Sequence, residues 1–301
     1  MRRFSYFSVA VMAACLPGAP IAYADPGQIT WGVLDFPPAF ILQHGAAPSS
    51  PAELGNGVVD REMFEIVSRM PQYEHKFALF NVQRIWNDLE SGHNLCFGSA
   101  YKTPEHEAVA YFLPALPATG IGLVMRENAV GAMRAKPSVS LNTVLDRYPE
   151  RKIYIETARS YGTVLDAILA KNRPSVHRIT VSSPGELLHL VDVGRVDYTL
   201  EYLSMVEYRQ RNGAFQHPLT AIPIEEVPEL TTLNIACTRN AWGKKALEDI
   251  SIALHDAAQS SGIRAGVINW LPSAAAKSLK PKIDRFYEDL AEQPSGTARA
   301  R

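Results

Sequence analysis

Arg159-Ser160-Tyr161-Gly162 opens a predicted helix directly after a predicted strand. Free backbone N–H groups at a helix start, beside an arginine and a serine hydroxyl, suit a carboxylate or a phosphate. The same residue types also make an ordinary helix cap. Glu201 and Tyr202 follow the run Arg195-Val196-Asp197-Tyr198-Thr199-Leu200. Glu201 there can receive an ammonium group or stand as a solvated carboxylate. Phe36 can stack on a ligand or plug a core. Ser99 and Thr103 can donate hydrogen bonds to a ligand, and Arg84 can face a cleft or the solvent. Asp197 reads as support for a turn or a sheet edge. The eight histidines are scattered. There is no G-x-S-x-G elbow, no H-E-x-x-H and no phosphate loop. These residue types point to binding a solute and not to bond-making, so no catalytic residue, cofactor or metal site is assigned.

The elements that would position these groups alternate along the chain. Residues 29–34 read as a first strand, ended by Phe36-Pro37-Pro38, because proline cannot extend a central ladder. Residues 43–57 are loop-like. A helix follows with Val59, Met63, Phe64, Val67 and Met70 on one face, stopped by Pro71. Residues 75–80 form a strand. Val82, Ile85, Trp86 and Leu89 give one helical stripe closed by Gly92. Strands are expected at 95–99, 121–125, 152–155, 178–181, 196–200, 219–224 and 233–238. Helices are expected at 160–171, from a capping box at Ser183-Pro184-Gly185-Glu186 to Gly194, from Tyr202 towards Asn212, and after Asn240. Alternating strands and helices imply mostly parallel sheets flanked by helices. Ligands in such folds collect beyond the carboxyl ends of strands. That rule selects the loops at 35–39, 99–103, 157–162 and 201–202.

The ends and the composition set the compartment. Arg2 and Arg3, the apolar stretch 4–16 and Ala22-Tyr23-Ala24 form a secretory signal peptide over residues 1–24. Lipidation at Cys15, within Met12-Ala13-Ala14-Cys15, is the other reading of that segment. The remainder is long enough for two lobes and has no run that would span a bilayer. Lys plus Arg number 30 against 31 Asp plus Glu, without a block of either sign. A nucleic-acid partner needs a basic face, and an anionic membrane needs a polybasic patch, so neither is expected. Of three cysteines, Cys96 and Cys237 outlast the leader. In an oxidising compartment they read as a disulfide, or else as two buried thiols.

The order of motifs resembles the family 3 solute-binding proteins, the periplasmic partners of amino-acid and polar-solute ABC importers. Asp35-Phe36-Pro37-Pro38-Ala39-Phe40 looks like the family's first-strand exit, and Gly57-Val58-Val59-Asp60 like the start of its first helix. The segment 86–92 is similar to the family's "L-x-x-G" helix end before a strand. Residues 99–112 resemble its "T-x-x-R … F" segment, Gly194-Arg195-Val196-Asp197 its "G-R-x-D" strand, and residues 235–239 the strand returning to the first lobe. The resemblance is to a branch with two cysteines placed like Cys96 and Cys237. It implies a type 2 periplasmic-binding-protein-like α/β fold, with lobe 1 from 25–120 plus 232–292, lobe 2 from 121–231, and a disordered tail at 293–301. It implies a monomer that binds a small polar solute between lobes and hands it to an ABC permease. The ligand contacts implied are Phe36, Ser99, Thr103, His106, Arg159, Ser160, Glu201 and Tyr202. His106 stands where amino-acid binders place an arginine that grips the ligand carboxylate as a fork, which an imidazole cannot form. A ligand-sensing or adaptor protein, or a dehydratase-like enzyme using His106 or Glu201 as acid or base, are the alternatives on the same fold.

Overall fold

The computed structural model describes residues 27–131, 133, 137–157, 159–171, 173–183 and 185–292. The leader at 1–24 and the tail at 293–301 lie outside the described residues. The chain folds as two α/β lobes. Lobe 1 is built on a five-stranded sheet of β1 (Gln28–Val33), β2 (Glu74–Leu79), β3 (Leu95–Ala100), β4 (Ala110–Thr119) and β10 (Leu230–Thr238), in the order β2-β1-β3-β10-β4. Lobe 2 holds β5 (Ile121–Arg126), β8 (Thr199–Tyr202) and β9 (Leu219–Pro223) as β8-β5-β9, and the pair β6 (Ile153–Glu156) and β7 (Val176–Ile179). A parallel bridge between Ile153 and Tyr198 joins that pair to the β8 end of the sheet.

The pairings are mixed. β1 runs parallel to β2 and β3, and β6 to β7, whereas β10 is antiparallel to β3 and β4, and β5 to β8 and β9. The antiparallel pairs arise where the chain crosses between lobes. It leaves lobe 1 along β4 and returns along β10, so the two strands lie side by side from Thr119 opposite Leu230 to Ala110 opposite Thr238. Gly120 sits at the crossing and donates to Glu229 O at 3.1 Å. A Cβ there would stand 2.6 Å from Pro228 O, so only glycine lets the crossing segments approach this closely. β4 carries Pro114 and Pro117 and stands at the sheet edge, the position at which a strand tolerates proline.

Helices cover the sheets as amphipathic spacing requires. In α1 (Val58–Val67), Val59, Met63, Ile66 and Val67 enter the lobe 1 core. In α2 (Val82–Glu90) it is Ile85 and Leu89, and Asn81 caps the helix by accepting from Arg84 N at 2.8 Å. A single turn, α3 (Pro104–Glu107), precedes β4. Lobe 2 adds α4 (Leu141–Arg147), α5 (Thr163–Leu169), α6 (Glu186–Asp192) and α7 (Leu203–Arg211). After β10 the chain completes lobe 1 with α8 (Ala241–Ala257), capped by Asn240, then α9 (Ser261–Ile268) and α10 (Ser273–Glu292). None of the described helices is long and apolar enough to cross a membrane.

Three local expectations are corrected. The 183–186 capping box does not form: Gly185, at φ 77°, is the N-cap, and Glu186 turns back to accept from Ser182 N at 2.6 Å. The 178–181 strand lies two residues earlier, because β7 starts in register with β6 at Val176 opposite Ile153. The 196–200 strand lies instead at Thr199–Tyr202, because pairing with β5 runs from Val124 opposite Thr199 to Ile121 opposite Tyr202.

Cys96 and Cys237 face each other across β3 and β10 and form a disulfide, 141 residues apart in sequence. The link joins strands on either side of the entire second lobe. Chain entropy gives such a loop about 4–5 kcal/mol of stabilisation as an upper figure. Non-reduced peptide mapping should show the 96–237 link, and reduction should lower the denaturation midpoint; two alkylatable thiols in the folded protein would refute the bond.

Glu62 is a second internal feature of lobe 1. It lies wholly inside the core on α1, neither carboxylate oxygen has a hydrogen-bond partner, and the unpartnered Tyr287 hydroxyl of α10 is also buried. Burial raises the Glu62 carboxyl well above its ordinary value near 4.5. The folded state therefore holds this proton after the unfolded chain has lost it. Its stabilising contribution is complete below about pH 4.5 and declines as pH rises towards the folded value. Glu62→Gln should abolish that slope, so the variant gains on the wild type in urea melts between about pH 5 and pH 8. Parallel pH profiles for the two proteins would show that Glu62 is not buried as a neutral acid.

Candidate functional site

The exits of β1, β3 and β8 converge where the two lobes meet. The residues after β1 turn back, with Phe40 N donating to Phe36 O at 3.1 Å, and this puts Phe36 on the face towards lobe 2. Tyr101 follows β3, and Tyr202 ends β8. The Phe36 and Tyr202 rings meet edge to face with centroids 6.5 Å apart, and the Tyr101 and Tyr202 hydroxyls lie 3.3 Å from each other. Together with Ser99 from lobe 1 and Ser204 and Met205 from α7, they line a cavity of about 100 Å³. A larger hollow of about 590 Å³ lies elsewhere, bordered by β9, α7, the crossing segments and the start of α10. It lacks the exits of β1 and β3, so the smaller cavity is the one that open α/β sheets would use.

Behind Tyr202 stands a buried ion pair. Arg159 grips Glu201 as a fork, Nη1 to Oε2 at 2.8 Å and Nη2 to Oε1 at 2.7 Å, and reaches Glu156 at 3.4 Å. Its guanidinium also lies over the rings of Tyr161, at 5.0 Å, and Tyr202, at 5.3 Å. The Glu201 side chain is 3% exposed and that of Arg159 17%. Glu201 accepts a further bond from Tyr202 N at 2.9 Å. Burial works against the Arg159 charge, but the bonds and charge of Glu201 more than offset it and hold the guanidinium above its ordinary range. Burial raises Glu156; Arg159 pulls it down and Glu201 pushes it up.

The eight residues singled out from sequence therefore separate. Phe36, Ser99 and Tyr202 line the cavity. Arg159 and Glu201 lie next to it but are spent on each other. Ser160 donates to Asp166 and accepts from Gly162 N at 3.2 Å, so its hydroxyl is engaged within the turn that leads into α5. Tyr161 N adds a bond to Asp166 at 2.9 Å. Thr103 caps α3 by accepting from His106 N at 3.2 Å. His106 lies flat on Trp86, ring centroids 3.5 Å apart, and its Nδ1 is 3.0 Å from Tyr101 O. Neither Thr103 nor His106 lines the cavity. Arg84 packs over Phe80 and pairs with Asp88, and Asp197 accepts from Lys152 N, tying a turn to β6. Tyr101 and Ser204 escaped sequence reasoning. Tyr101 lies inside a loop selected by the strand-end rule, and that placement was the available signal. No group of three or more His, Cys, Asp or Glu side chains suited to a metal occurs among the described residues.

No family model and no curated protein matches the chain. Solved structures do. It is similar to a probable amino-acid ABC transporter extracellular-binding protein of Bacillus subtilis, with TM-score 0.58 and 14% identity over 82% of this chain and 97% of that one. It is similar to the BvgS periplasmic VFT2 domain of Bordetella pertussis, with TM-score 0.56 and 18% identity over 81% of this chain and 93% of that one. A histidine kinase sensor domain with similarity to periplasmic binding proteins gives TM-score 0.57 and 15% identity, over 81% and 96% of the two chains. These likenesses establish the two-lobed fold.

The ion pair makes a direct test of the site's framework. Arg159→Met should leave Glu201 buried and uncompensated and cost about 3–5 kcal/mol in urea unfolding, whereas Arg159→Met with Glu201→Leu should recover most of that loss. Equal stability of the single variant and the wild type would mean that Glu201 is not held by Arg159 in solution.

Proposed function

We propose that this chain, which has the fold of the periplasmic binding proteins, is an exported, non-catalytic solute-binding protein that takes a small molecule between its lobes. The observation that carries this reading is the cavity at the strand exits. Phe36, Ser99 and Tyr101 from lobe 1 face Tyr202, Ser204 and Met205 from lobe 2. A ligand held there touches both lobes at once, so its binding free energy favours their closure about the crossing segments. The carboxylates behind Tyr202, Glu201 and Glu156, are engaged by Arg159, and His106 is stacked on Trp86. That arrangement supports binding over turnover. The leader at 1–24 supports a periplasmic location.

Delivery to an ABC permease is the role we infer, supported by the transporter-binding protein among the similar structures. The sensor domain among them supports a second reading, in which the liganded lobes signal to a membrane partner. Adjacent permease and ATPase genes favour delivery, and an adjacent histidine kinase gene favours signalling.

Thermal-shift screening of the mature protein against amino acids and their derivatives, small organic acids, amines and neutral alcohols provides the test. A ligand of the native state at a hundred times its Kd should add about 2.7 kcal/mol of stability and raise the melting temperature. The compound should be recovered unchanged by mass spectrometry. Consumption of the compound would instead establish an enzyme.

A further inference from the structure

None of the residues lining the interlobe cavity carries a formal charge. The polar side chains among them all end in hydroxyls: Ser99, Tyr101, Thr119, Tyr202 and Ser204. The rest of the lining is aliphatic, aromatic or proline. From this, and resting on the solute-binding reading above, we propose that the cleft takes a small uncharged molecule, with a ring or compact apolar body and one or two hydrogen-bonding groups, and discriminates against free amino acids.

The charged side chains behind Tyr202 that could hold the two ends of a zwitterion, Arg159 and Glu201, are already engaged with each other. Arg159 would hold a carboxylate, but Glu201 fills both arms of its fork. Glu201 would hold an ammonium group, but Arg159 and Tyr202 N already engage both of its oxygens. In the turn ahead of α5, Asp166 takes the Ser160 hydroxyl and the Tyr161 N–H. The start of α1, which borders the cavity at Val58 and Val59, is closed. Val58 N and Val59 N donate to Pro38 O and Ala39 O at 2.8 Å each, and Gly57 N donates to Asp60. His106 is stacked on Trp86 outside the cavity.

An ionised ligand therefore has two routes into the cavity, and each is expensive. It can enter unpaired, at the full desolvation cost of its charges. It can instead break the Arg159–Glu201 fork, leaving buried charges to be paired anew. A neutral ligand meets neither cost. Phe36, Tyr101 and Tyr202 offer ring faces and edges to an apolar body, and the hydroxyls can both donate and accept. A monocation is disfavoured at Tyr202 in particular, because the Arg159 guanidinium already lies over that ring. At about 100 Å³ the cavity is smaller than the roughly 150 Å³ that admits a benzene ring, so a ring-bearing ligand requires the lobes to part further to let it in.

Four probes sharing one phenyl ring separate the charge states: benzyl alcohol, L-phenylalanine, phenylacetate and phenethylamine. Each is titrated calorimetrically into the mature protein and into Phe36→Ala, with a melting curve on the variant as a folding control. The expected result is that benzyl alcohol binds at least tenfold more tightly than any of the three charged probes, and that folded Phe36→Ala weakens it several-fold. Binding of a charged probe as tight as benzyl alcohol, and weakened in Phe36→Ala, would overturn the ligand class while leaving the solute-binding reading intact. Benzyl alcohol binding that Phe36→Ala leaves unchanged would place the neutral site elsewhere and overturn the inference. If none of the four binds, the inference also falls; if the broader thermal-shift screen is silent too, the solute-binding reading falls with it.

Discussion

The architecture depends on one return strand. β10 inserts between β3 and β4, antiparallel to both, and lobe 1 is complete only once that insertion has been made. Its inner residues Ile235, Ala236 and Cys237 are buried in the lobe 1 core, and the helices α8, α9 and α10 that follow supply much of that core. All of lobe 2 is therefore a closed excursion from lobe 1, begun at Gly120 and ended at Pro228–Glu229. The disulfide sits within this insertion, between residues directly opposed on β3 and β10. It fastens the excursion at its base without touching the crossing segments.

The cleft inherits its position from the same constraint. Two crossing segments bring the carboxyl ends of β1 and β3 opposite those of β8, so that aromatic residues from each lobe face one another. The site that results is electrically quiet. Burial of Arg159 and Glu201 is tolerable because each completes the other's hydrogen bonds, and unpaired burial of either would cost several kcal/mol. Once paired, they act as a rigid wall behind Tyr202 and offer little to a ligand. The carbonyls of Pro38 and Ala39 and the carboxylate of Asp60 close the start of α1 in the same way. What is left facing the cavity is a set of rings and hydroxyls, whose interactions with a ligand are shorter in range and more dependent on shape than those of charges.

Much of this was legible beforehand. Helix stripes such as Val82–Ile85–Trp86–Leu89 and capping residues such as Asn240 were readable because periodicity and capping are local properties of a few consecutive residues. Phe36, Ser99 and Tyr202 could be tied to the cleft through the rule that ligands gather at strand ends. β4 escaped, since Pro114 and Pro117 argue against a strand unless it lies at a sheet edge, and edge position is a property of the whole sheet. The mixed pairing escaped for the same reason: alternation reveals strands and helices but not the direction in which a returning strand runs.

The candidate site divides along this line as well. Residue types and spacing by themselves determined an alternating α/β chain long enough for two lobes, the strand exits where a ligand would sit, and an arginine and a glutamate of the right chemistry to hold charged groups. Only the tertiary structure decided that those two hold each other, across 42 positions of sequence, and that His106 rests on Trp86. The reason is that a side chain's capacity to bind is written in its chemistry, but whether that capacity stays available depends on which other segment the fold brings within hydrogen-bond distance. A carboxylate next to a guanidinium is spent, and only the packing of β8 against the loop after β6 brings them together.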